Sequence, residues 1–106
     1  MTIKYYQNKQ GREPFLKWRN SIKDLKIIAR IDNRLERVRV GNLGDYNSVG
    51  DGVFELRLHF GAGYRIYYGY IGKQMLLLIV GGGKKTQTKD IKKAKQFWQE
   101  YKKSIQ

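Results

Sequence analysis

The stretch Val53–Phe60, VFELRLHF, constrains the fold more than any other part of this chain. Phe54, Leu56, Leu58 and Phe60 alternate with Glu55, Arg57 and His59, which is the period of a strand with one apolar and one polar face. Gly61-Ala62-Gly63 follows as a three-residue turn, with glycine where a positive φ is expected. Tyr64–Tyr70, YRIYYGY, is then the returning strand. With the turn confined to Gly61–Gly63, Phe60 faces Tyr64, Leu58 faces Ile66, Leu56 faces Tyr68 and Phe54 faces Tyr70. On the other side His59 meets Arg65, Arg57 meets Tyr67 and Glu55 meets Gly69. One register serves both faces, and a slip of a single residue would spoil both.

The remaining elements arrange themselves around this hairpin. Thr2–Gln7 reads as a short strand, because Ile3 and the tyrosines favour extended backbone. Pro14 can open a helix that carries Phe15, Trp18 and Ile22 on one side. Asp24 is placed to cap a second helix, whose Leu25, Ile28, Ile31, Leu35 and Val38 step by three or four, and Gly41 to end it. Together these predict an αα-hairpin over roughly residues 13–40. Gly41–Gly52 is glycine-rich with little apolar content and reads as a loop. Gln74–Val80, QMLLLIV, is apolar without alternation, as suits a central strand covered on both faces, and Gly81–Gly83 is expected to end it. Thr88 can cap a last helix with Ile91, Ala94, Trp98 and Tyr101 inward and Lys89, Lys92, Lys93, Lys95, Lys102 and Lys103 outward. The expected fold is α+β, in the order β-αα-βββ-α, a mainly antiparallel sheet packed by helices.

At 106 residues the chain forms one domain, residues 1–106, with a single core. No apolar run approaches the ~20 residues of a bilayer span, and the opening MTIKYYQNKQ lacks the apolar stretch of a secretory signal. Without cysteine there is no disulfide framework or thiol nucleophile, and a lone histidine argues against a multi-histidine metal site. Lys and Arg number 22 against 9 Asp and Glu, a net charge of +13, which attracts polyanions, nucleic acid first among them. The alternative is a general solubilising surface, or a patch reserved for an acidic protein partner.

The polar hairpin face brings Glu55, Arg57, His59, Arg65 and Tyr67 within a few cross-strand spacings. Such a set suits phosphodiester cleavage: a carboxylate to take the 2′-hydroxyl proton, a histidine as acid, and arginines to hold the phosphate as its charge grows. The same face would also serve simply as the wet side of an open sheet. Lys84 and Lys85 follow a glycine run at a strand end and are candidate phosphate contacts, although the spacing is not that of a nucleotide-binding loop. Arg30, Arg34 and Arg37 form a helical stripe able to meet RNA backbone or an acidic partner, if it is more than a solvated face. Trp18 and Trp98 fall in apolar stripes and read as core.

The ordered run Gly41-Asn42-Leu43-Gly44-Asp45, Val49-Gly50-Asp51-Gly52-Val53, Glu55-Leu56-Arg57, Gly63-Tyr64-Arg65, Gly82-Gly83-Lys84, Gln87, Asp90-Ile91 and Ala94, with Phe15 and Trp18, resembles the phage-derived, HigB-like branch of the RelE/ParE toxin superfamily. The resemblance covers nearly the whole chain. It implies a RelE-like microbial ribonuclease fold and a type II toxin that cleaves mRNA on the ribosome without metal or cofactor. It further implies a cytoplasmic protein neutralised by a co-encoded antitoxin, often helix-turn-helix. Arg57 and Arg65 match the sheet cations that hold the scissile phosphate, and Lys84 or Lys85 matches the basic residue after the last strand. Glu55 sits where some members have a carboxylate base and others a lysine. Several members carry a tyrosine or histidine near the start of the last helix. Here that segment reads Thr88-Lys89-Asp90-Ile91, leaving His59, the ribosome or water to supply the acid. ParE-like gyrase inhibitors share the fold, and a degenerate toxin kept for antitoxin binding is a further alternative.

Overall fold

Five strands form one sheet in the computed structural model, which describes residues 1–105. In chain order they are β1 (Thr2–Tyr5), β2 (Tyr46–Gly50), β3 (Val53–Arg57), β4 (Arg65–Ile71) and β5 (Met75–Gly82). Helices α1 (Pro14–Ser21) and α2 (Leu25–Arg39) lie between β1 and β2, and α3 (Gln87–Ser104) follows a 3-10 turn at Lys84–Thr86. The sheet order is β1-β5-β4-β3-β2; β1 runs parallel to β5 and every other neighbouring pair is antiparallel. The class is α+β, as expected, with helices on both faces.

The αα-hairpin forms for the reasons its sequence gives. Pro14 occupies the first turn of α1, where its missing N–H costs nothing. The Asp24 side chain accepts from the Lys26 N–H at the start of α2. At the other end Gly41 adopts φ +92°, its N–H bonds Val38 O at 2.9 Å and Asn42 N–H bonds Arg37 O at 2.9 Å. This paired closure satisfies carbonyls that the helix leaves open.

Each sheet face has its own apolar cluster. On one, Phe15, Ile31, Leu35 and Val38 of the helices meet Leu56, Leu58, Ile66, Tyr68, Leu76 and Leu78. On the other, Ala94 and Trp98 of α3 meet Val53, Tyr67, Leu77, Ile79 and Val80. Burial at about 1.5–3 kcal/mol for each large side chain makes these contacts the main source of stability. Two strand glycines set the spacing: a Cβ at Gly81 would run into the Trp18 ring, and one at Gly69 into the Trp98 ring. Both tryptophans pack as the sequence predicts.

Several boundaries differ from expectation. The segment read as a loop contains β2, so four strands rather than three follow the helices. This is an edge strand with only Val49 partly covered, held by main-chain pairing to β3, so it carries no apolar alternation. The first strand ends at Tyr5, although Tyr6 N–H still bonds Leu78 O at 2.8 Å. Strand β5 continues through Gly81 and Gly82, which pair with Ile66 and Arg65. The last helix starts at Gln87 and not after Thr88, and its preceding residue is Thr86, whose hydroxyl donates to Asp90 Oδ2 at 2.5 Å.

The hairpin register also moves, by two residues. Leu56 pairs with Ile66, Phe54 with Tyr68, Glu55 with Tyr67 and Arg57 with Arg65. The connection is longer than the three glycine-turn residues: Leu58 N–H bonds Tyr64 O at 2.9 Å, and Gly63 N–H folds back to Phe60 O at 3.0 Å. Gly61 and Gly63 have positive φ, +56° and +69°, within this connection. Because the shift is even, every side chain of the paired residues Phe54–Arg57 and Arg65–Tyr68 keeps its face.

Candidate functional site

The polar face of the hairpin is not the wet side of an open sheet, since α3 covers it. Glu55 is 0% exposed, and its carboxylate is the centre of the cluster. Arg57 Nε donates to Oε1 at 2.8 Å, and Gln87 Nε2, from the first turn of α3, donates to Oε2 at 3.0 Å. Arg65 Nε lies 3.6 Å from Oε2, while its Nη1 donates to Gly63 O at 2.7 Å. A carboxylate can be withdrawn from water in this way only when cations and donors surround it.

One carboxylate between two guanidiniums leaves the pair with an excess positive charge. The Arg57 side chain is 38% exposed and that of Arg65 12%, so both reach the surface from a fixed base. The hydrogen bond that Arg57 donates to Glu55, and the carboxylate's charge, raise the pKa of Arg57 above the ordinary guanidinium value. Tyr67, opposite Glu55, is fully buried and its hydroxyl has no hydrogen-bond partner. Burial, and then the Glu55 carboxylate, push its pKa well up, so it remains a neutral phenol. Tyr67 was expected to touch RNA, but its hydroxyl faces the interior of this cluster.

Lys84 and Lys85 are exposed on the 3-10 turn beside the hairpin connection, with Lys84 N–H bonded to Ala62 O at 3.2 Å. Gly61, Ala62, Gly63, Gly83, the two lysines and Thr86 line an open recess there. Arg65 reaches this recess through its bond to Gly63. The arrangement places Arg57, Arg65 and two exposed ammonium groups around one end of the hairpin.

Two expected members lie elsewhere. His59 does not face Arg65; it stands in the connection, its side chain 73% exposed, with Nε2 2.5 Å from Asp45 Oδ2. That hydrogen bond holds the Asp45 carboxyl below the usual carboxylate range. Arg34, expected on an outer stripe, is 7% exposed. It donates to Leu43 O at 2.8 and 3.2 Å, to Asp45 O at 2.8 Å and to Arg57 O at 2.6 Å. Burial, and then the Arg37 charge, lower its pKa from the ordinary value. Its neighbours Arg30 and Arg37 remain exposed.

Sequence reasoning missed Gln87 as a partner of Glu55; a glutamine in a first helical turn carries no signal of the strand it will meet. It also missed Asp90, buried against Thr86, which fills the space beside Gly82 that a Cβ would occupy. Here the unbroken glycine run was the available sign of close approach. Among the described residues no group of three or more His, Cys, Asp or Glu is placed to hold a metal ion. No helix among them is long and apolar enough to cross a membrane.

No protein-family model matches the chain. It is 45% identical over 86 residues to an uncharacterized protein of Haemophilus influenzae, an alignment covering 81% of this chain and 87% of that protein.

Proposed function

The chain belongs to the same family as that Haemophilus influenzae protein, and from the geometry of its own site we propose that it is the toxin of a type II toxin–antitoxin pair, a ribosome-dependent mRNA endonuclease of the RelE/ParE kind. The observation that carries this reading is the buried Glu55 carboxylate with Arg57 and Arg65 fixed on it, beside the exposed Lys84 and Lys85. In the reaction the 2′-hydroxyl of a message nucleotide attacks its 3′-phosphorus and the bond to the 5′-oxygen of the next nucleotide breaks. The products are a 2′,3′-cyclic phosphate and a 5′-hydroxyl, and the leaving oxygen takes up a proton. Negative charge accumulates on the phosphate oxygens, where prealigned guanidiniums stabilise it without reorganising.

In this reading Glu55 positions cations and is not the base, because both its oxygens already accept hydrogen bonds and neither meets solvent. With His59 turned to Asp45, the cluster supplies charge, and proton transfer falls to water or to groups of the ribosome. That division of labour supports dependence on the ribosome. The net charge of +13 supports a polyanionic target. The reading calls on no metal or cofactor, places the protein in the cytoplasm, and pairs it with a co-encoded, helix-turn-helix antitoxin.

Purified protein added to a translating extract tests it. Shortened message with plasmid supercoiling unchanged is the expected result. Intact message with gyrase-dependent DNA breaks would replace this reading with that of a gyrase inhibitor, and intact message with neither effect would leave a degenerate toxin.

A further inference from the structure

Strand β1 stops short of the strand it pairs with, and this leaves one corner of the sheet open. Its last register partner is Leu78, to which Tyr6 N–H adds a further bond at 2.8 Å, whereas β5 runs on to Gly82. Among the described residues no strand pairs with that side of Ile79–Gly82. Helices α1 and α3, one on each face of the sheet, therefore face each other across a bare strand edge. Trp18 sits over Gly81 and Asp90 against Gly82, each too close to admit a Cβ there. The cleft between the two helices has a volume of about 440 Å³, with Trp18 on one wall and Phe97 on the other.

Charge of both signs lines this cleft without being paired. Asp90 is buried, and one of its oxygens, Oδ2, accepts from the Thr86 hydroxyl at 2.5 Å. Arg12, Lys17 and Lys93 line the same cleft from exposed positions. Among the described residues none of these four groups forms an ion pair. A buried carboxylate with acceptor positions to spare favours a ligand that brings N–H donors. Unpaired cations at the exposed positions favour one that also carries a phosphate. Apolar walls on two opposed helices suit a flat ring between those ends. Guanine meets a carboxylate with two adjacent donors, its N1–H and its 2-amino group. Adenine sets the N1 lone pair beside its amino group, which a carboxylate repels.

We infer that this cleft binds a free guanine mononucleotide, its base toward Asp90 and its terminal phosphate toward Arg12, Lys17 and Lys93. Three unpaired cations exceed what one phosphodiester of an RNA chain would neutralise and suit the near-dianion of a terminal phosphate. The inference is independent of message cleavage, because the residues lining the cleft are not those of the Glu55 cluster.

Isotope-labelled full chain is titrated in parallel with GMP, AMP and the trinucleotide UpGpU. GMP should shift the amide resonances of Ser21, Gly81 and Lys93, and bind about tenfold more tightly than AMP. The trinucleotide, whose guanosine carries only phosphodiesters, should bind about tenfold more weakly than GMP. Asp90→Asn keeps the shape and an acceptor for Thr86, and should bring GMP and AMP to within about twofold of each other. Lys17→Ala with Lys93→Ala, both at exposed positions, should weaken both nucleotides by about tenfold and preserve their ratio. No shift at these amides with millimolar GMP, equal affinity for GMP and AMP in the parent chain, or a folded Asp90→Asn protein that still prefers GMP would overturn the inference. So would UpGpU binding as tightly as GMP, which would place a nucleotide of an RNA chain in the cleft.

Discussion

Arg34 and Arg65 serve opposite faces of the same hairpin, and each withdraws most of its guanidinium from water. Their partners differ in kind. Arg34 binds the main-chain carbonyls of Leu43, Asp45 and Arg57, so it locks the segment entering β2 onto the end of β3. Arg65 binds one carbonyl, that of Gly63, and shares the Glu55 carboxylate with Arg57. Carbonyl dipoles engage nearly every donor of the first arginine and make it structural. A shared carboxylate fixes the second while leaving the pair with positive charge to offer.

Removing each arginine separates these roles. Arg65→Ala should reduce message cleavage per folded molecule by about 10²–10³, with a smaller loss of stability than Arg34→Ala because Arg57 and Gln87 still hold the Glu55 carboxylate. Folded Arg65→Ala that cleaves at the parent rate would erase the distinction. Arg34→Ala should instead lower stability by about 2–4 kcal/mol, because three carbonyls lose their partner beside a cavity. Denaturant titration reads that loss, and cleavage per folded molecule should stay within a few-fold of the parent.

Glu55→Gln sharpens the comparison on the side of the cluster. It keeps the shape but removes the charge that aligns Arg57 and Arg65, so cleavage should fall by about tenfold with the pH profile unchanged in form. Loss of one limb of that profile would make Glu55 a base. Asp32 supplies the smallest effect. Its carboxyl is held below the usual range by the hydrogen bond from Arg19, so the pair adds stability above about pH 4, and the addition is lost as pH falls through the lower folded value. For a partly exposed pair such as this one the addition is at most about 1 kcal/mol. Asp32→Asn should flatten the acid limb of a stability–pH curve by that amount and leave cleavage untouched.

The comparison also explains which parts of the molecule were legible in the sequence. Period-two alternation placed Phe54, Leu56 and Ile66 on one face and Glu55, Arg57 and Arg65 on the other, and those faces are correct. The partners were wrong by an even step, because face is written in side-chain chemistry while register depends on how many residues a connection uses. Here the bonds of Leu58 to Tyr64 and Gly63 to Phe60 lengthen it. Edge strand β2 left no pattern because its side chains meet water and its main chain does the pairing. Arg30, Arg34 and Arg37 looked alike as a stripe, yet the middle one turns inward to carbonyls contributed by another segment. A guanidinium gives no local sign of such a partner. Covering of the polar face by α3 was equally hidden, since Gln87 and Glu55 meet only in the tertiary fold.

The most direct test measures Arg34→Ala and Arg65→Ala side by side, each for its unfolding midpoint and its cleavage rate per folded molecule in a translating extract. The two roles predict crossed losses: mainly stability for Arg34, and for Arg65 a loss of cleavage far beyond what its smaller loss of stability accounts for. Both variants losing cleavage only in proportion to stability would contradict the account, as would an Arg65→Ala protein that cuts message as fast as the parent.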